Sequence, residues 1–561
     1  MAWAVLDTEF SDGCNFLDTW LAWRRDPLRP RLLHYVGIKE IANPAQASIS
    51  SQNDRLWACS DERDLFQTLQ SVVGGLDAGF NRVLLDDGKV SLTICLGQTD
   101  IMLGEQAFQA DTVFGSMPQN KWNAQLLARR CKRGTRVALS APTSCADETN
   151  PRENGVLLLR SAGFQIDTET NDQPLLCARF DPRWNISTSR SPIRHWTQAP
   201  GRCAVVGAGL AGASIANALA LRGWQITVLD QEATPASGAS GLPAALAVPH
   251  VSSDDSPRSR LTRSGIRLMV QHAEQLLLRR QDWDQPGVAE QRPGGETLWH
   301  PTAAWIKPAK LVQAWLSHPN ITFVGNQKVA SLSRTHGLWG LRDTQGDMTG
   351  QFEQVIVANA MGSTALLKLA EEEPDAGTIL DNALLDKLNA LQAIYGTLSH
   401  GTYAELIPDL PAMPVNGNGY FIPHVSGTAA EEWVAGSTFE TDLLTASDVW
   451  RQHELNMMRL SQLLPGVGTA IAETLDRGPV TQWTSTRCVT HDRLPLVGPV
   501  GNQGPTGLWL CVGMGSRGVS LSALCAQLLV ARLCGEPLPL EFSLSRSLDA
   551  NRVRRKQQAR V

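Results

Sequence analysis

The chain has no stretch approaching the roughly 18 consecutive apolar residues of a membrane-spanning helix, so no membrane partner is expected. Its first residues, MAWAVLDTEF, have no basic leader region and meet Asp7 and Glu9 at once, which argues against a signal peptide. Paired cysteines are missing as well. Eleven Cys are scattered from Cys14 to Cys534 with no CxxC pair and a gap from Cys203 to Cys488, a pattern that excludes a disulfide framework or a zinc cluster. No HExxH occurs among the eleven His, and no metal is expected. Charge of one sign is also scarce. With 19% charged residues and a net charge of -5, the bulk field repels phosphate, so contact with nucleic acid needs a local basic patch. Internal repeats are absent, and the short acidic run Glu371–Glu373 reads as a solvated loop. The expectation is a folded, cytoplasmic chain. At 561 residues, 43% of them hydrophobic, it exceeds what a single core serves, and two or more domains are expected.

A boundary is expected at DPRWNISTSRSPIRHWTQAPG, Asp181–Gly201, which is rich in Pro, Ser, Thr and Arg and has no apolar periodicity. The chain then divides into residues 1–180, a linker at 181–200, and residues 201–561. Before the boundary, apolar runs such as VLLDDGKVSLTICLG, RVALSAP and GVLLLRSAGF alternate with helical patterns, the mark of an α/β layer. After it, ITFVG, QVIVANA, GYFIP and EWVAGSTF suggest an antiparallel sheet inserted into a second α/β domain with few long helices. The end returns to a strand (LWLCVG), a glycine turn and an apolar helix from about Ser520 to Leu533.

Immediately after the boundary stands a nucleotide-binding unit. A buried-strand run, Cys203–Val206, leads into Gly207-Ala208-Gly209-Leu210-Ala211-Gly212, then an Ala-rich helix, a second strand at Gln225–Leu229, and Asp230. Gly207 permits the tight turn, Gly209 lets backbone approach a pyrophosphate, and Gly212 allows close helix–strand packing. The helix start offers free N–H groups to phosphates. Asp230, about 20 residues on, is placed to accept from ribose hydroxyls, and its charge disfavours a 2′-phosphate. Two further segments favour FAD over NAD. The small-residue stretch Thr234–Gly241, which includes Ala239 and Ser240, suits backbone contact with a long cofactor. A second glycine turn, Gly513-Met514-Gly515-Ser516-Arg517-Gly518, opens the last helix and could face the electron-rich end of a reduced flavin.

From about Gly201 onward the chain resembles the D-amino-acid-oxidase-like FAD family that includes glycine oxidase. Within it, the resemblance is to the oxidoreductase half of the bifunctional tRNA 5-methylaminomethyl-2-thiouridine biosynthesis proteins. It is carried, in order, by VVGAGLAGASIANALALRGWQITVLD, ASGASGLPAAL, AAWIKPAKLVQAWL, VIVANAMGS, NGYFIP, TRCVTHDRLPLVG and GMGSRGVSLSALCAQLL. The resemblance implies oxidation of a carboxymethylaminomethyl group on a wobble thiouridine of tRNA, releasing glyoxylate and leaving an aminomethyl base. Such a glycine-like arm needs a fixed cation for its carboxylate, preferably a bidentate Arg. By resemblance, Arg487 is that clamp, Tyr420 assists it, and Arg517 lies beside the flavin. The chemistry is then mostly positioning, with the hydride carried by the cofactor and no protein nucleophile. His250, His424 and His491 are read as structural.

The first half resembles the methyltransferase half of the same proteins, with departures at the site. In LDTEFSDGCNF, Glu9 and Ser11 stand where the family has glycines around S-adenosylmethionine, and only Gly13 remains. Lys39 occupies the position of a ribose-binding acid, with Glu40 displaced by one, and Gln98 replaces another acid. VFGSMPQNKW takes the place of a longer D-G-F-A-P signature. The expected fold is a Rossmann-like methyltransferase-type domain followed by an FAD-binding Rossmann domain with an inserted antiparallel sheet. S-adenosylmethionine binding is expected to be lost or weak.

For tRNA, two basic surfaces are candidates: Arg258, Arg260, Arg263, Arg267, Arg279 and Arg280, and the tail residues Arg552, Arg554, Arg555, Lys556 and Arg560, with the tail favoured. Two other readings compete: an oxidase of free glycine- or sarcosine-type amines, and a tRNA-binding protein that holds FAD without catalysis. The sequence leaves the oligomeric state open and is compatible with a monomer.

Overall fold

A computed structural model describes residues 2–41, 60–140, 151–167, 175–185, 199–371, 380, 382–403, 410–426, 431–443, 445–474, 480–501 and 506–552. By contacts the chain divides into two compact units, Met1–Ala199 with Val530–Arg546, and Pro200–Leu529 with Ser547–Val561. Val530–Arg546 thus departs from sequence order: it follows the second unit along the chain yet belongs to the first. Of the expected linker, residues 186–198 lie outside the described residues.

The first unit is built on an eight-stranded sheet in the order Gly79–Leu85, Val90–Leu96, Leu32–Lys39, Ala2–Asp7, Ala110–Ser116, Cys131–Ser140, Leu175–Phe180, Phe164–Ile166. The central pairings are parallel, and the outer ones, from Gly79–Leu85 and from Leu175–Phe180, are antiparallel. Parallel strands covered on both faces require near-continuous apolar sequence, which LLHYVGIK supplies. Alternate residues enter opposite cores. Leu33, Tyr35 and Val5 pack with Phe16, Trp20, Leu65 and Leu69 from the helices Cys14–Arg25 and Ser60–Val72. Val36, Ile38 and Leu6 pack with Met102, Leu126 and Leu159 on the other face. Trp20 is fully buried and its indole N–H donates to Asp86 at 2.7 Å, so its burial, worth ~3 kcal/mol, leaves no polar atom stranded. Val530–Arg546 completes this unit through Arg82, which is 3% exposed. Its guanidinium donates to the carbonyls of Pro537 at 2.7 Å and Leu538 at 3.0 Å, and to Thr93 Oγ1 at 2.9 Å.

The second unit contains a six-stranded sheet in the order Ile321–Val324, Gln225–Leu229, Arg202–Val206, Gln354–Val357, Leu508–Val512, Leu496–Pro499, parallel except for its last pair. ITFV and QVIV therefore belong to the nucleotide-binding sheet, not to the inserted antiparallel sheet expected for them. Their short apolar runs cannot distinguish a buried parallel strand from a half-buried antiparallel one. GYFIPHVS and EEWVAG do fall in a separate seven-stranded sheet, ordered Thr297–His300, Val288–Gln291, Val415–Gly417, Gly419–Ser426, Glu431–Gly436, Gln392–Thr402, Val480–Val489. Only the Val288–Gln291 and Val415–Gly417 pair in it is parallel. Long helices are also more prominent than expected: Pro257–Leu276 has 20 residues and Ala446–Leu463 has 18. The latter packs Met457, Leu460 and Leu463 against Phe421, Trp433 and Ala435 of the seven-stranded sheet.

One stretch among the described residues, Gly515–Cys534, is long and apolar enough to cross a membrane by length and composition, contrary to the expectation that none would be. Its apolar window is 83% buried within the protein, as befits a core helix.

Candidate active site

Strand order in the second unit reverses at Arg202–Val206, whose neighbours are Gln225–Leu229 on one side and Gln354–Val357 on the other. In open α/β sheets ligands bind beyond the carboxyl ends of strands at such a point, and the glycine turn leaves the sheet there. Gly207 has φ +107, and a Cβ on it would lie 2.7 Å from the carbonyl oxygen of Ala358. A Cβ on Gly212 would lie 1.9 Å from the carbonyl of Gly207, so the helix Leu210–Leu221 can approach the turn only without one.

This turn lines a cavity of 1180 Å³ that lies wholly within the second unit. Gly207, Gly209, Asp230, Ala239, Ser240, Gly513, Gly515, Ser516, Gly518, Tyr420, Arg487 and Arg517 all border it. Gly212 does not; it supports the turn from below. Asp230 holds the turn in shape, accepting from the amide of Ala208 at 2.6 Å and that of Glu232 at 3.0 Å. Ser240 Oγ accepts from the amide of Leu210 at 2.9 Å, so a neutral hydroxyl covers the first helical N–H. Asn359, just past the strand Gln354–Val357, also borders the cavity, and its Oδ1 is buried with no hydrogen-bond partner among the described residues. Two glycine turns on its lining, a shape-fixed acid and an acceptor with no partner among the described residues fit a long, phosphate-bearing cofactor with sugar hydroxyls, which is the chemistry of FAD.

The substrate end is made by the seven-stranded sheet. Along Val480–Val489, side chains two apart share a face, and Trp483, Ser485 and Arg487 all border the cavity, while Thr484 bonds Thr397 at 3.0 Å. Arg487 donates to the carbonyl of Thr438 at 3.1 Å and to Ser437 Oγ at 2.9 Å, which fixes the guanidinium. Gly396 makes room for it, since a Cβ there would lie 2.2 Å from Arg487 Nη1. Burial lowers the pKa of Arg487, and the nearby Tyr420 opposes that shift. Tyr420 pairs with Gly436 across the sheet and makes one long bond, 3.4 Å, to the carbonyl of Ala244. Burial pushes its phenol well up, so it stays protonated and can donate.

Arg517 also borders the cavity, and its guanidinium makes no hydrogen bond or ion pair among the described residues. Its pKa is lowered by burial and then by the positive charges of Arg258 and Arg493. His250 borders the cavity too, with its pKa lowered by burial and by Arg517. His424 Nδ1 lies 3.1 Å from Glu431 on an exposed edge. Sequence reasoning missed Gly396, Asn359, Trp483 and Phe439. VIVANA and EWVAGSTF were read as strands, and the residues that matter sit just past the strand ends.

The basic candidates are largely engaged locally. Arg263 pairs with Asp255 at 2.7 Å, Arg279 with Asp284 at 2.9 Å, and Arg258 donates to the carbonyl of Asp492 at 3.4 Å. Arg552 grips both carboxylate oxygens of Asp492 at 2.8 and 3.0 Å and the carbonyls of Leu494 and Pro495. That makes Arg552 an anchor of its own unit. Arg554, Arg555, Lys556 and Arg560 lie outside the described residues.

At the corresponding point of the first unit, the turn after Ala2–Asp7 is closed by its own side chains. Phe10, 1% exposed, fills the space above Gly37, where a Cβ would meet its ring at 2.3 Å. Lys39 Nζ donates to the carbonyl of Ser11 at 3.2 Å. Asp12 accepts from the amide of Cys14 at 3.0 Å, so a carboxylate covers the first N–H of the helix Cys14–Arg25. Burial raises the Asp12 pKa, but the bonds from the Cys14 thiol and amide outweigh it and hold the carboxyl below its usual range. Asp7 is buried, with Tyr35 donating at 2.8 Å, and desolvation raises its pKa despite that bond. Among the described residues, no group of three or more His, Cys, Asp or Glu could hold a metal ion.

Comparison with known proteins bears on both units. The family described as FAD dependent oxidoreductase (DAO) matches residues 202–291 and 278–532. The tRNA 5-methylaminomethyl-2-thiouridine biosynthesis bifunctional protein MnmC of Albidiferax ferrireducens is 42% identical over 98% of this chain and 93% of its own. The protein of the same name from Polaromonas naphthalenivorans is 40% identical over 96% of this chain and 88% of its own. Among solved structures, glycine oxidase from Geobacillus kaustophilus aligns with a TM-score of 0.49 at 17% identity, covering 64% of this chain and 100% of that one. The chain therefore belongs to the FAD-dependent oxidoreductases of the DAO type and, along nearly its whole length, to the MnmC family of bifunctional tRNA-modification proteins.

Proposed function

We propose that the second unit oxidises the carboxymethylaminomethyl arm of 5-carboxymethylaminomethyl-2-thiouridine at the wobble position of tRNA, giving the aminomethyl base and glyoxylate in the cytoplasm. The observation that carries this reading is the half-buried Arg487, fixed by Thr438 and Ser437, beside a Tyr420 that stays protonated, in the same cavity as two glycine turns. Arg487 and Tyr420 hold the arm's carboxylate, which orients the adjacent C–H bonds. Gly207, Gly209, Ser240, Asp230 and the Gly513–Gly518 turn hold FAD. Bound there, FAD would supply the acceptor for a hydride leaving the carbon between the amine and the carboxylate. The walls around Trp483 and Tyr420 limit water during this step, and hydrolysis of the resulting imine then releases glyoxylate and leaves the primary amine on the base. No covalent bond to the protein is required.

The first unit keeps the fold of a methyltransferase without its chemistry. Phe10 fills the turn, Asp12 caps the helix start with a negative charge, and Lys39 sits where a ribose acceptor is needed. The two halves are tested together by incubating purified protein with tRNA bearing the carboxymethylaminomethyl base, with and without S-adenosylmethionine, followed by mass spectrometry of the nucleosides. The aminomethyl base is expected in both samples. Methylaminomethyl thiouridine in the second sample would overturn the reading of the first unit. An unchanged base, alongside turnover of sarcosine, would replace the tRNA reading with a free-amine oxidase.

A further inference from the structure

Beside the carboxylate clamp stands an aromatic ring that the oxidation chemistry does not use. Phe439 borders the cavity and is 56% exposed, although Ser437 and Thr438, just before it, are buried. Among the exposed large apolar side chains described, only Val251, Leu369 and Phe439 border the cavity, and Phe439 alone is aromatic. Single exposed apolar residues are ordinary on protein surfaces. This one differs in two ways. Its backbone is pinned, because Glu440 exchanges two 2.8 Å hydrogen bonds with Tyr395 immediately after it. Its ring also lies under the guanidinium of Arg487, 4.6 Å from centroid to carbon.

Deepening the function proposed above, and resting on it, we infer that Phe439 is the stacking platform for the pyrimidine base whose arm enters the clamp. The dimensions agree. The arm joins its carboxyl carbon to the base through four single bonds of about 1.5 Å each, an extended reach of about 5 Å. A carboxylate on Arg487 therefore brings the base to the neighbourhood of the Phe439 ring. An exposed phenyl offers a base a π-face without a hydrogen-bond code, the usual means by which proteins hold an unpaired base. Selection is then divided between two groups. Arg487 reads the glycine-like arm, common to small amines and to the modified base, whereas Phe439 reads the base that small amines lack.

The test measures binding of two probes to the flavin-loaded full chain. Glycolate, a small carboxylate, reports on the clamp alone; 5-aminomethyl-2-thiouridine nucleoside, which has no carboxylate, reports on the base contact alone. Phe439→Ala is expected to weaken nucleoside binding about tenfold and to leave glycolate binding within about twofold, while Phe439→Trp restores the nucleoside. Equal weakening of both probes would mean that Phe439 only positions Arg487, and would overturn the inference. So would unchanged nucleoside binding in the Ala variant, or no nucleoside binding by the wild type. Failure of the functional reading shows elsewhere, as a wild type that leaves the tRNA-borne base unoxidised.

Discussion

The two units place a turn at the same topological position, after the first strand of a parallel sheet where strand order reverses, and fill it in opposite ways. In the second unit, the glycines leave the space beyond the strand bare, and the first helical amide bonds a neutral hydroxyl, Ser240. In the first, Phe10 fills the space above Gly37, and the first helical amide is taken by a carboxylate, Asp12. One arrangement invites an anion and the other repels it, although strand order and helix placement differ little in kind. The fold is held by alternating core residues such as Val5 and Leu6, which do not touch the turn. The scaffold therefore does not dictate how the turn is filled.

The comparison breaks most visibly if the bare turn is filled. Gly209→Val puts a branched side chain against Ser240 Oγ, which already lies 3.0 Å from a Cβ at that position, and into the cofactor's approach path. The purified variant is expected to be colourless, with the wild type yellow, while far-ultraviolet circular dichroism is unchanged. A yellow variant would mean that cofactor binding does not pass through this turn. A smaller effect is expected at the carboxylate clamp. Arg487→Ala removes a charge-assisted bond worth about 1.5–3 kcal/mol, roughly a 10- to 150-fold loss in kcat/KM for the carboxymethylaminomethyl base, with flavin retained. Unchanged kinetics would move the clamp to Arg517, whose guanidinium makes no hydrogen bond or ion pair among the described residues.

The smallest effect is one of stability. His272 is buried in the second unit, accepts from Trp315 at 3.4 Å, and has its pKa pushed down to about 4 by burial. Unfolded, it takes up a proton below pH about 6.5; folded, it stays neutral until about pH 4. Its contribution is thus full above the unfolded pKa and declines as pH falls towards the folded one. Thermal melting from neutral pH down to about pH 5 should show His272→Gln losing less stability than the wild type. Parallel losses would place the acid sensitivity elsewhere.

Much of the second unit is legible in sequence because its turn must be glycine and its strand must be apolar, and both demands leave residue-level marks at Gly207 and Cys203–Val206. The strand Gln225–Leu229 is read to its ends for the same reason. Partner sheets are less legible. ITFV and QVIV carry no period long enough to say whether both faces are covered. At the site, the need of an acidic arm for a cation leaves Arg487 and Arg517 as candidates, and only the resemblance to glycine oxidase names Arg487 as the clamp with Tyr420 beside it. Gly396 could not, since its role is to be absent where a guanidinium lies, and that guanidinium comes from a strand 91 residues later (487 against 396). In the first unit the replacements Glu9, Ser11 and Lys39 stood out, but Phe10, the side chain that fills the space, reads in sequence as ordinary core.

Because Val530–Arg546 belongs to the first unit, that unit is not complete when its own strands have been synthesised. A ribosome that has finished Ala199 has made every strand of the first sheet, yet Arg82 still lacks the carbonyls of Pro537 and Leu538. More than three hundred further residues must emerge before this buried guanidinium meets those two acceptors. The domain begun first is thus among the last to be finished. Separating the chain into two genes at the linker would cut the first unit off from the segment that supplies those carbonyls.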